Sequence, residues 1–111
     1  MANDAAARLG DFRTRATIQE RVRTDDSQGG DTHRYVTVAS IWCRARGTGG
    51  EEFRAAQRSN PKITWEVESR FSTELRANRR LVFGSTVLNI VAVLDPGGNR
   101  LRSLSLCEEL Q

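Results

Sequence analysis

The stretch with the best claim to chemistry is Gly47-Thr48-Gly49-Gly50-Glu51-Glu52-Phe53-Arg54, continued by Ala55-Ala56-Gln57-Arg58. A glycine turn running into a short helix is a common phosphate cradle, because the first helical N–H groups and the helix dipole converge on an anion. Here the next residues defeat that chemistry. Glu51 and Glu52 take the positive end of the helix, where they stabilise its start and repel a phosphate. A P-loop also needs Lys and Ser/Thr just inside the helix, and a dinucleotide site needs GxGxxG within a βαβ unit. Neither is present.

Other chemistries fare no better. There is no GxSxG, and His33, the single histidine, sits in a polar loop without a nucleophile nearby in sequence. Glu66 and Glu68 fall on one face of a strand, as carboxylates on a solvated sheet do, with no apolar setting to make either a general acid. Cys43 and Cys107 lie in apolar, strand-like runs and read as two small buried thiols in a reducing compartment. One histidine and no CxxC spacing leave zinc without a ligand set. The residues describe no enzyme, no cofactor and no metal site.

The elements that would position these residues are mostly strands. In 12–23, Ala16, Ile18 and Val22 recur with period two, broken at Glu20. The polar run 24–33, TDDSQGGDTH, reads as a long hairpin connection. A β-branched and aromatic run follows at 34–46; its alternation slips near Ala39-Ser40, which predicts a bulge. After the glycine stretch, a helix of about two turns is expected, with Phe53 and Ala56 inward and Glu51, Arg54 and Arg58 outward. Asn60-Pro61 ends it.

Residues 63–71 alternate cleanly, with Ile63, Trp65, Val67 and Phe71 on one side and Thr64, Glu66, Glu68 and Arg70 on the other. Residues 81–83 and 86–94 flank Gly84-Ser85 as a hairpin whose second arm is apolar on both faces. Pro96, Gly97 and Gly98 make a turn, and Leu101, Leu104 and Leu106 mark a last strand. Five or six antiparallel strands with one short helix between the second and third predict an all-β barrel or sandwich. The 111 residues read as one domain, with 1–11 as an N-terminal extension.

Composition narrows the partners. No apolar run approaches the roughly 18 residues of a membrane span, so no membrane partner is expected. The first residues, MANDAAARLGDFR, carry Asp4 and Asp11 and lack the apolar centre of a secretory signal. Net charge is +3, yet residues 44–80 hold nine basic and five acidic side chains while 24–43 hold one and three. That uneven charge suits nucleic acid or an acidic protein surface. A small basic barrel binding single strands through arginines and aromatics is one alternative. Trp65 and Phe71, however, share their apolar face with Ile63 and Val67, which places them in a core.

Taken in order, several pieces resemble the phage head–tail adaptor family, the head-closure or stopper proteins of long-tailed phages and gene transfer agents. They are Phe12-Arg13, Arg15 and Ile18-Gln19; Asp26 with Gly29-Gly30; Ile41-Trp42 with Arg44-Ala45; and Gly50-Glu51-Glu52-Phe53 with Ala56-Gln57. Arg70-Phe71, Arg80-Leu81-Val82-Phe83-Gly84, Ile90 and Leu104-x-Leu106-Cys107 follow. Cys43 and Tyr35 depart from the alanine and tryptophan usual there.

The resemblance implies a ring of about six or twelve copies at the virion neck, assembled in the host bacterial cytoplasm. The ring would sit under the portal and its adaptor, meet the tail terminator or tail tube below, and enclose packaged double-stranded DNA. It also implies that residues 46–62 approach the channel, so that Gly49, Gly50, Glu51, Glu52, Phe53, Arg54 and Arg58 become ring or partner contacts on a glycine hinge. A tail terminator ring is the other particle role such a barrel would suit.

Overall fold

A computed structural model describes residues 12–25, 31–47 and 62–110. Six strands form in chain order: β1 (Thr14–Asp25), β2 (Asp31–Gly47), β3 (Trp65–Arg70), β4 (Arg80–Phe83), β5 (Thr86–Leu94) and β6 (Arg102–Leu110). They close into a barrel in the order β1-β2-β3-β6-β5-β4, every described pairing being antiparallel. The expected all-β barrel is therefore what the chain forms. The expected helix after Gly50 falls at positions outside the described residues, as do 1–11.

A six-stranded barrel is narrow, so its interior must alternate large and small side chains. Ile18, Leu81, Leu88, Ile90 and Val67 supply the volume; Ala16, Cys43, Cys107, Ser69, Ser103 and Ser105 fit between them, all essentially inaccessible to solvent. Trp65 and Phe83 close one end edge to face, with ring centroids 5.9 Å apart. Trp65 Nε1 donates to Glu109 Oε1 at 3.0 Å. The tight β4–β5 turn at Gly84-Ser85 uses a positive φ of 58° at Gly84, which a glycine adopts without strain.

One expectation is met and two change. The bulge expected near Ala39-Ser40 is there: Ile18 pairs with Ala39 and Gln19 with Thr37, so Val38 of β2 is the extra residue. The ladder reaches further into the polar run 24–33 than expected, through Arg23↔His33 and Thr24↔Thr32 to Asp25↔Asp31, and 26–30 lie outside the described residues. A ribbon with few neighbours on either face needs no apolar alternation, so period two is silent there. Phe71 lies just beyond the end of β3, half-buried on the outside of the barrel beside Trp42 instead of in the core.

The two thiols are as inert as their surroundings. Burial raises the Cys43 pKa to about 11, and burial with the neighbouring Cys43 charge raises Cys107 to about 12. Because the folded values exceed the unfolded ones, the thiols' contribution is complete below about pH 8.5 and is lost as pH climbs through the folded values. Ellman's reagent at pH 8 is expected to label neither cysteine in native protein and both in urea. Labelling of native protein at the rate of a free thiol would contradict this burial.

Candidate functional site: an arm, a clamp and a groove

β1 meets β4 only over Thr17–Gln19, and β2 meets β3 only over Cys43–Gly47. Residues 20–25 and 31–37 therefore pair with each other alone and leave the barrel as a two-stranded arm. Such a ribbon is marginal in water without further packing. Its root is held by Arg79, which sits just before β4 with its side chain 10% exposed. Arg79 Nη2 donates to Glu20 Oε1 at 2.5 Å, and Nη1 donates to Glu74 Oε1 and to the Glu74 carbonyl, both at 2.8 Å. These hydrogen bonds, to Glu20 first and then Glu74, push the guanidinium pKa up against the opposing effect of burial.

The segment bearing the clamp is itself pinned to β5. Asn78 N donates to Ile90 O at 2.8 Å, and Ile90 N donates to Arg79 O at 2.9 Å. Beside it, the Arg80 guanidinium lies 3.5 Å from the Tyr35 ring centroid, a cation–π contact joining β4 to the arm. The tilt of the arm is thus fixed by three elements.

On the outer face of β3, Glu66 and Glu68 are not solvated, in contrast to the sequence reading. Both are 6% exposed. Arg46 bonds Glu66, its direct cross-strand partner. Arg44 bonds Glu68 at 2.5 Å and Arg102 bonds its other carboxylate oxygen. One carboxylate between two arginines ties β2, β3 and β6 together across the outside of the barrel. Next to this row, Ile63, Leu106, Leu104 and Val91 form a second apolar cluster, which accounts for the two-sided apolarity of β5.

Further along β2 lies an open groove of about 730 Å³ lined by Phe12, Arg13, Ser40, Ile41, Trp42, Arg70, Phe71 and Ser72. Trp42 is 53% exposed, a large area for the bulkiest apolar side chain. Arg15, its cross-strand partner, holds its guanidinium 5.1 Å from the ring centroid. Arg70 is exposed and forms no ion pair among the described residues.

Gly49, Gly50, Glu51, Glu52, Phe53, Arg54 and Arg58, the residues singled out from sequence, all lie outside the described residues. What sequence reasoning missed is the Arg79 clamp and the Trp42 groove. Among the described residues no cluster of His, Cys, Asp and Glu could hold a metal ion, and no helix is long and apolar enough to cross a membrane.

The closed barrel thus carries its distinctive features on the outside: struts, an arm and an aromatic–basic groove. The chain belongs to the phage head completion protein family, whose family model matches residues 7–110. It is a structural component of a virion-type particle, and the family is not one of enzymes. The fold is shared with the solution structure of protein SF1141 from Shigella flexneri 2a, at 24% identity and TM-score 0.69 over 91% of this chain and 95% of that one. It is also shared with a chain in the virion of a native gene transfer agent particle, at 17% identity and TM-score 0.57 over 86% and 93%. No curated protein sequence matches the chain.

Proposed function

We propose that this chain forms a ring in the neck of the particle, below the portal and adaptor, where it closes the head, retains packaged double-stranded DNA and offers the surface to which a tail attaches. The observation that carries this reading is the head completion family match across nearly the whole chain, supported by the likeness to a chain in a gene transfer agent virion. The fold is compatible with it. The barrel pairs its strands around the closure, and the arm, 20–25 with 31–37, keeps a free outer edge on each strand among the described residues, so copies brought together would meet through side chains and through the arm. Six or twelve copies would match a portal–tail junction, with a tail terminator or tail tube protein below and assembly in the host cytoplasm.

Within the ring, Gly49, Gly50, Glu51, Glu52, Phe53, Arg54 and Arg58 are proposed as ring or channel contacts. Glycines let such a segment change shape on assembly, and two carboxylates followed by two arginines suit repeated ion pairs between copies.

The test is an add-back to DNA-filled, tailless particles made without this protein. Purified protein is expected to restore DNA retention and tail joining and to add a ring of density at the neck. Gly49→Pro with Gly50→Pro is expected to abolish retention while leaving the barrel folded. Particles left unchanged by the wild-type protein, together with tight, salt-sensitive binding to free DNA, would instead make the chain a nucleic-acid-binding barrel.

A further inference from the structure

We infer that copies of this chain join edge to edge through the arm, the outer edge of β2 in one copy pairing with the outer edge of β1 in the next. The arms then stand side by side as one continuous antiparallel sheet. This rests on the ring reading and says how neighbouring copies meet.

A strand edge specifies what can cover it. In an antiparallel pair, alternate residues turn their N–H and C=O toward one neighbour, and the residues between turn theirs the other way. Along 20–22 and 33–37 the two strands satisfy each other's inner edges, and among the described residues no strand lies against either outer edge. Groups left at that spacing fit another extended chain. Edges that avoid such pairing carry charge or proline, yet Tyr35-Val36-Thr37-Val38 has neither. It is an aromatic and β-branched run with Thr37 and Val38 exposed. The bulge at Val38 kinks β2 and sets the inner limit of added pairing.

The covering strand comes from a second copy. The ribbon has two outer edges facing opposite ways, so a foreign strand laid on one leaves the other open. β1 of one copy against β2 of the next fills both with a single repeated contact, the heterologous kind that closes into a ring when the rotation permits. Because β1 and β2 are antiparallel within a copy, arms set side by side about one axis keep the alternation of direction.

The side chains agree. Arg21 lies opposite Tyr35, Arg23 opposite His33 and Gln19 opposite Thr37, so these share one face of the ribbon. Glu20 and Val22 share the other face with Val36 and Arg34. In a sheet continued from copy to copy, Arg21 and Arg23 meet His33, Tyr35 or Thr37, and Arg34 meets Glu20 or Val22. Among these residues no register sets two arginines directly opposite, a pairing that would be destabilising. A ribbon marginal by itself becomes part of a wider sheet. The Arg79 clamp fixes the direction in which the arm points, so less ordering is required at docking.

The test uses the full chain. Arg21→Cys is mixed in turn with His33→Cys, Tyr35→Cys and Thr37→Cys, loaded onto DNA-filled, tailless particles, and oxidised once a ring is seen at the neck. Cys43 and Cys107 are buried and stay out of the reaction. Directly opposite residues of an antiparallel pair come within disulfide reach. The three β2 positions follow one another on one face, so a register shift of two residues moves the bond without abolishing it. A covalent dimer is expected in one of the mixtures and in no variant alone. A ring of normal density with no dimer in any mixture would overturn edge pairing and leave the ring standing. A dimer from one variant alone would mean that like edges meet, and a bond to another particle protein would give the edge to that protein; either overturns the inference. No ring with wild-type protein would remove both readings. In parallel, amide hydrogen exchange along 33–37 is expected to slow at least about tenfold between free protein and ring, and an unchanged rate would count against an added strand.

Discussion

Arg79→Met is expected to lower the unfolding free energy by about 3 kcal/mol and to free the arm from the barrel. The guanidinium makes three charge-assisted bonds from a side chain that is 10% exposed, spanning the arm root at Glu20 and the 71–79 segment at Glu74. Methionine keeps most of the apolar stem and removes every donor. The two carboxylates are 46% and 42% exposed, so they regain water when the arginine goes, and that holds the loss well below the sum of three such bonds.

Glu20→Gln and Glu74→Gln, made singly, are expected to cost about 1 kcal/mol each, because the remaining acceptors still hold the arginine. Urea unfolding gives the energies, and trypsin reports the arm. Cleavage after Arg21 or Arg34 should accelerate in Arg79→Met and barely change in the glutamine variants. An unfolding midpoint indistinguishable from wild type would show that the arm is held by its ladder alone.

Glu68→Ala is the second large effect, at about 3 kcal/mol. It removes the carboxylate between Arg44 and Arg102 and leaves two cations facing each other across its place. Both arginines are about one-third exposed and can turn toward water, which places the cost at the low end for a broken buried pair. The neighbouring pair provides the control. Arg46 is 59% exposed, so Arg46→Ala is expected to cost no more than about 1 kcal/mol, fading in 0.5 M salt, while the Glu68→Ala deficit persists. Changing all three members, Arg44→Met, Glu68→Leu and Arg102→Met, is expected to recover stability, since no uncompensated charge remains. Equal costs for Glu68→Ala and Arg46→Ala would reduce the row to ordinary surface pairs.

The contrast between Glu68 and Val67 shows how far the sequence could be read. Period two gave the right face for Val67, Ala16 and Ile18, and five or six such strands pointed to a barrel or sandwich; on β5, apolar on both sides, it could not single out Leu88 and Ile90 as the inward residues. The same period sent Glu66 and Glu68 outward correctly, yet could not show that arginines from β2 and β6 would cover them. Those partners lie 20 to 34 residues away in the chain, where no local pattern reaches. Arg79 was hidden for the same reason, its partner Glu20 being 59 positions distant. Trp42 posed the opposite difficulty: an exposed tryptophan has the composition of a core residue, and only its place on the outer face of β2 separates the two. The family, by contrast, was legible because a collinear set of short motifs survives where individual contacts cannot be inferred.

β2 is one strand of 17 residues whose far half is arm and whose near half is barrel wall. Tension applied at the end of the arm would run parallel to the strands. It would be opposed on one side by the five residue pairs of β2 with β3, and on the other by the three pairs of β1 with β4. Bonds perpendicular to the pull share the load and must fail together, whereas a ladder peeled from its end breaks one rung at a time. The arm is therefore rooted as a tether loaded in shear, and pulling on it strains the barrel wall before any turn gives way.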